Sequence, residues 1–138
     1  MTYSTPFLNA TFAFIGVLLT LSACDSTDPV EDPALPTYVI EVSGETFRIQ
    51  IADPSIAREA DSLLAHGIPK IVHGPLLAGD GGINEPYSWH LDSDSISFPD
   101  LSIELCDGRP SFIENDLGYW LDTVGLYCPW NAQIIERE

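Results

Sequence analysis

The sequence predicts a small α+β domain over residues 37–138, a two-layer sandwich of mostly antiparallel sheet with two helices packed on it. Three observations predict it. Short segments alternate apolar and polar residues as half-buried strands do, and two stretches carry apolar residues at helical spacing between cap signals. The two kinds of segment interleave along the chain, and two layers bury both sorts of apolar face most economically.

Tyr38, Ile40 and Val42 alternate with polar neighbours, as do Phe47, Ile49 and Ile51, and Ser43-Gly44-Glu45 supplies a turn, so the domain opens with a hairpin. Asp53-Pro54 starts a helix, with a carboxylate to cap it and proline at its first position. Ile56, Ala60, Leu63 and Leu64 share one face, and Gly67 is the stop. A short strand is expected around Ile71-Val72, followed by the glycine-rich loop Ala78-Gly79-Asp80-Gly81-Gly82. Tyr87, Trp89 and Leu91 mark one further strand, and Leu101, Ile103 and Leu105 another. The second helix begins near Pro110-Ser111, with Ser111 and Glu114 at capping-box spacing. Its inward face is Ile113, Leu117, Trp120, Leu121 and Val124, and Gly125 ends it. A last strand is expected near Ala132 to Ile135.

Composition fits a packed domain, with 45% apolar residues and 10% aromatic ones. Acidic residues outnumber basic ones 21 to 5, a formal net charge of −16. The cations Arg48, Arg58, Lys70, Arg109 and Arg137 are scattered, so the chain is not expected to bind nucleic acid or dock electrostatically on anionic lipid. The acidity serves solubility, or it selects a cation or a basic protein partner.

The first residues read as targeting rather than fold. Phe12 to Leu21 is an apolar run of signal-peptide length, too short to cross a bilayer comfortably. Leu21-Ser22-Ala23-Cys24 then resembles a bacterial lipobox, in which the cysteine is lipidated and becomes the new N-terminus. The segment before it, Met1 to Asn9, lacks the Lys or Arg usual in a secretory leader. The expectation is a signal peptide over 1–23 and a lipidated Cys24 opening an acidic, proline-rich tether over 24–36. The alternatives are a secreted protein without lipid and an uncleaved anchor. With Cys24 lipidated, Cys106 and Cys128 are left as a disulfide pair in an oxidising compartment, worth about 3 kcal/mol as a loop closure. Two buried free thiols are the other possibility.

Three stretches carry a resemblance: Asn84-Glu85-Pro86-Tyr87-Ser88-Trp89-His90-Leu91-Asp92; Ile103-Glu104-Leu105-Cys106-Asp107-Gly108-Arg109-Pro110-Ser111; and Tyr119-Trp120-Leu121 with Val124-Gly125 and Tyr127-Cys128-Pro129-Trp130. Together they resemble the BP-type domain, the N-terminal domain family named after the slime-mould cyclic-AMP-inducible prespore protein, whose relatives include many short bacterial exported proteins. The resemblance spans roughly residues 38 to 136. Tyr87 and Ser93 depart mildly from its pattern, where Trp and Pro are frequent. It implies no activity and no catalytic residue.

Candidate chemistry is sparse. If the strands of His90 and Glu104 pair through Ser93 to Pro99, imidazole and carboxylate face each other, either as an acid–base pair or as an ordinary cross-strand stabiliser. Asp92-Ser93-Asp94 starts like a calcium loop but lacks its glycine and terminal glutamate. A weakly bound divalent cation would draw on Asp80, Asp92, Asp94 or Asp107. His66, His73 and His90 show no zinc spacing. Asp107-Gly108-Arg109-Pro110 reads as a turn, with Arg109 reading a partner's carboxylate as the functional alternative. Trp89, Tyr119, Trp120, Tyr127 and Trp130 are expected in the core, Trp130 being least committed to it because it lies outside the helical pattern beside a proline. The candidate binding residues are Trp89, His90, Asp92, Glu104, Asp107, Arg109 and Trp130, with no catalytic or metal-ligating residue assigned. The functional expectation is a lipid-anchored binding module exposed in the periplasm or at the cell surface, its partner an envelope protein or small ligand. The alternative is a small cation-dependent or hydrolase-like enzyme using His90 with nearby carboxylates.

Overall fold

The structure, a computed structural model, describes residues 34–138. The expected signal peptide, Cys24 and the tether up to residue 33 lie outside the described residues.

The hairpin forms as the alternation requires. Strands β1 (Thr37–Val42) and β2 (Glu45–Gln50) pair antiparallel around Ser43 and Gly44. These two residues have φ of 52° and 85°, the left-handed pair whose twist matches a two-residue hairpin. The six apolar residues expected to point inward are buried.

Helix α1 (Pro54–His66) also follows its signals. The Asp53 carboxylate accepts from Ser55 N at 2.6 Å and Ile56 N at 3.4 Å, and Gly67 closes the helix in the left-handed region. Hydrogen bonds from the Ser55 side chain and backbone hold the Asp53 carboxyl below its ordinary range. Ala60 and Leu63 are buried, and α1 docks through Tyr38, whose hydroxyl donates to Asp61 at 2.9 Å. Arg137 reaches both oxygens of the same carboxylate and lies over the Tyr38 ring.

A second sheet carries β3 (Gly74–Ala78) in the middle, with β4 (Trp89–Leu91) and β5 (Leu126–Tyr127) on either side. The first sheet is completed by β6 (Ala132–Arg137) beside β1, in the order β2-β1-β6. The described residues therefore form two three-stranded antiparallel sheets with short helices, the α+β sandwich expected. Asn84, 1% exposed, links the sheets: its Oδ1 accepts from Arg48 N in β2 and its Nδ2 donates to the Trp89 carbonyl in β4. Between the sheets, the Trp89 ring lies 5.6 Å from Phe47, 5.4 Å from Tyr87 and 5.5 Å from Tyr127.

Four expectations are corrected. The strand expected at Ile71-Val72 forms at Gly74–Ala78, starting where a Cβ would sit 2.9 Å from Ile96 Cδ1 and so only glycine allows the approach. The second helix is broken into α2 (Pro110–Asn115), α3 (Leu117–Tyr119) and a π turn, Trp120–Val124, with the break at Asp116. The wider final turn is closed by Gly125 N donating to the Trp120 carbonyl at 2.7 Å, and Trp120 meets Tyr127 edge-on. The Ser111–Glu114 capping box is absent from the hydrogen bonds of the described residues. Glu45, at the start of β2, instead accepts from Ser111 N and Ser111 Oγ, both at 2.8 Å, while Glu114 holds Ser88 N and Oγ.

The fourth correction matters most. Residues 101–103 are not a strand, and Glu104–Cys106 is a single 3-10 turn. Cys106 is fully buried in a disulfide with Cys128, and Ser102 Oγ sits 3.5 Å from its sulfur. The cystine thus takes the inner side of the segment, and the alternation works in reverse. Leu101, Ile103 and Leu105 are 87%, 59% and 54% exposed.

Candidate functional site

The cystine builds the surface that stands out. It joins the 3-10 turn to the segment leading into β6, and Cys128 N donates to the Cys106 carbonyl at 2.8 Å. Ile71 packs against both half-cystines. One residue on, Asp107 Oδ1 accepts from Gly108 N at 2.9 Å and from Trp130 N at 3.0 Å, which fixes the backbone beneath the Trp130 indole. That indole is 40% exposed, whereas Trp89 and Trp120 are 0% and 7% exposed.

Beside Trp130 opens a cleft of about 360 Å³ lined by Pro69, Lys70, Ile71, Pro99, Asp100, Leu101, Ser102, Trp130 and Asn131. The volume lies at the lower end of the range for ligand pockets. Lys70 meets Asp100 across it as an ion pair. Polar groups therefore line one part of the cleft, while Leu101, Ile103, Leu105 and Trp130 offer an exposed apolar rim. Contiguous exposed apolar groups with a polar border are the usual mark of an interaction surface.

Sheet register gives the rim its place. The cleft adjoins the end of the first sheet where Val42 opposes Ala132 and Lys70 N donates to the Ala132 carbonyl. The chain enters the domain at the other end, where the Pro36 carbonyl accepts from Ile51 N and Tyr38 opposes Arg137. Six residues of β1 separate the two ends, about 17 Å of extended strand.

The predicted binding residues divide. Trp130 and Asp107 lie at this rim, and Glu104 is exposed on the same 3-10 turn. Arg109, also exposed, precedes α2. Trp89 is fully buried among aromatic rings and presents no platform. His90 is placed by β4 opposite Leu77 in β3, not opposite Glu104, a correction that follows from the loss of the expected strand. Its Nδ1 donates to the Gly79 carbonyl at 2.7 Å, and its ring packs so closely on Gly81 that a Cβ there would sit 2.7 Å away. Asp92 closes its own turn, accepting from Asp94 N and Ser95 Oγ. Asp80 accepts from Gly82 N at the opposite end of the β3–β4 ladder, so the acidic residues named for a cation are not gathered in one place. Tyr119, expected in the core, is 44% exposed.

Tyr127 ties the rim to the core. Its hydroxyl donates to the Gly108 carbonyl at 2.9 Å. Burial, and then the charges of Asp107 and Glu45, push its pKa far above the ordinary tyrosine value. The phenol stays protonated and holds Gly108 in place. Sequence reasoning missed Lys70, Asp100, Ser102 and Asn131 as cleft residues. The signal available was the odd phase of Leu101, Ile103 and Leu105 against Cys106.

The geometry defines a small disulfide-closed α+β domain with an exposed apolar rim. The family model of the BP-type N-terminal domain matches residues 35–138, so the chain belongs to that family. Neither the curated proteins nor the solved structures contain a significant match.

Proposed function

We propose that the chain is a membrane-tethered binding module of the cell envelope, anchored through Cys24 and working without catalysis. The observation that carries the reading is the apolar rim of Leu101, Ile103, Leu105 and Trp130 around a cleft, at the end of the sheet opposite chain entry. A tether attached at Pro36 would direct this rim away from its own membrane and toward a partner. A core-facing Leu or Ile would contribute about 2 kcal/mol of burial. Three such residues left in water on one short segment are more economically explained by a partner that covers them.

Two measurements test the two halves. Intact mass of the protein taken from a bacterial membrane fraction should give a chain starting at Cys24 with added acyl mass, and an unmodified full chain would remove the anchor. For the binding half, a photo-crosslinking amino acid replaces Ile103 in one strain and the exposed Ile135 of β6 in another. A discrete adduct from position 103 alone is expected. Equal patterns from both positions would leave the rim with no claim to be a binding face.

A further inference from the structure

The rim is not electrically neutral. The chain carries a formal −16, and three of its five cations, Arg48, Lys70 and Arg137, are already paired with Glu138, Asp100 and Asp61. Beside the cleft, the Lys70–Asp100 pair cancels itself, and Arg109 stands against two exposed carboxylates, Glu104 and Asp107. Asp107 is held next to Trp130 by the bond from Trp130 N to its Oδ1, so a carboxylate and the exposed indole share one corner of the surface. An indole face is the best aromatic surface for a cation, and a neighbouring carboxylate adds to the attraction.

From this juxtaposition we infer that the rim recognises a protein segment in which a lysine or arginine stands beside apolar residues. The cation lies against Trp130 and Asp107, and its apolar neighbours cover Leu101 and Ile103. The inference rests on the binding reading and adds the chemistry of the partner. Charge selects among the other occupants. A second copy of the chain brings the same negative charge to the contact, and an anionic lipid surface is repelled for the same reason. A basic and apolar segment is the occupant that satisfies both the indole–carboxylate corner and the exposed leucine and isoleucine side chains.

The test uses the purified full chain and two fluorescently labelled peptides of equal length, one alternating leucine and lysine, the other leucine and glutamate. Fluorescence anisotropy should show saturable binding of the lysine peptide, about tenfold tighter than the glutamate peptide, and weakening several-fold as salt rises past physiological strength. Glu104→Gln should weaken the lysine peptide by a few-fold, and Leu101→Ser by about tenfold, both at exposed positions where the fold is not at stake. Ile135→Ser, on β6, should change nothing.

Equal binding of both peptides, lost in Leu101→Ser, overturns the basic partner and leaves the rim as a docking face. Binding of either peptide that ignores Leu101→Ser overturns the rim as well. Absence of lysine-peptide binding overturns the inference. So does Leu101-dependent flotation with phosphatidylcholine vesicles, which would assign the rim to lipid, or a concentration-dependent dimer abolished by Leu101→Ser, which would assign it to a second copy.

Discussion

Glu45 starts α2 from a strand 66 residues away in sequence, and removing it gives a sharp test of how the two layers are joined. Its carboxylate takes two donors, Ser111 N and Ser111 Oγ, at 2.8 Å each. Hydrogen bonds to a charged acceptor contribute roughly 1.5–3 kcal/mol each when buried, and a helix N-cap roughly 0.5–2 kcal/mol. Glu45 is half-buried, so both figures shrink toward their lower ends. Glu45→Ala should therefore cost about 2 kcal/mol, which lowers the melting temperature of a domain this size by about 10 °C. Ser111→Ala should cost about 1 kcal/mol, and the double variant less than the two together, leaving a coupling of about 1 kcal/mol. Urea denaturation of the four proteins reads all three numbers. Glu114→Ala supplies the contrast. It loosens Ser88 and should show no coupling to Ser111. If the Ser111–Glu114 cycle is coupled and the Glu45–Ser111 cycle closes to within about 0.3 kcal/mol, the capping box is real and the strand-to-helix link is wrong.

Other expectations concern the core and the glycine loop. Trp89 Nε1 is buried with no hydrogen-bond partner among the described residues, so Trp89→Phe removes an unmet donor and should cost within about 1 kcal/mol, whereas Trp89→Ala should cost about 4 kcal/mol by chemical denaturation. A loss of about 3 kcal/mol from the phenylalanine variant alone would mean that the indole N–H has a partner. Gly81→Ala places a Cβ 2.7 Å from the His90 ring at φ +63° and should cost about 2 kcal/mol; His90→Ala in the same chain should recover part of it, and no recovery would refute the contact. Burial, followed by the hydrogen bond and charge of Asp61, raises the Tyr38 pKa from 10.0 to about 12. The folded chain then holds its phenol proton longer than the unfolded chain does, so this contribution is complete below pH 10.0 and disappears as pH approaches about 12. Denaturation at stepped alkaline pH should show that fall, and Tyr38→Phe should flatten it.

Local signals in the sequence recovered what is decided locally. The hairpin and α1 rest on two-residue alternation, an Asx cap and a glycine stop, each confined to a few neighbouring residues. Where a distant residue decides, the reading failed. Nothing near Ser111 indicates that its partner is Glu45, and nothing near Asn84 indicates that it will join Arg48 to Trp89. The largest error had the same origin. Leu101, Ile103 and Leu105 have the period of a strand, but a period of two does not say which face is inside. Cys106, bonded to Cys128, settles that phase in favour of the even residues. Of the candidate site, Trp130 and Asp107 were legible from the chain, while the cleft beside them depended on bringing residues 69–71, 99–102 and 130–131 together.

The pairing of β1 with β6 has a consequence for the order of events in synthesis. The Thr37 carbonyl accepts a hydrogen bond from Glu138 N, and Val42 lies opposite Ala132, so the first described strand completes its ladder only with the final residues described. A growing chain holds the β1–β2 hairpin with one side of β1 unpaired until those last residues are made. A stop codon placed anywhere before Arg137 should leave that side open to strands of other molecules. Truncated products should therefore aggregate rather than accumulate as smaller soluble domains. An affinity handle fused after Glu138 would emerge beside Thr37, at the end of the molecule remote from Trp130.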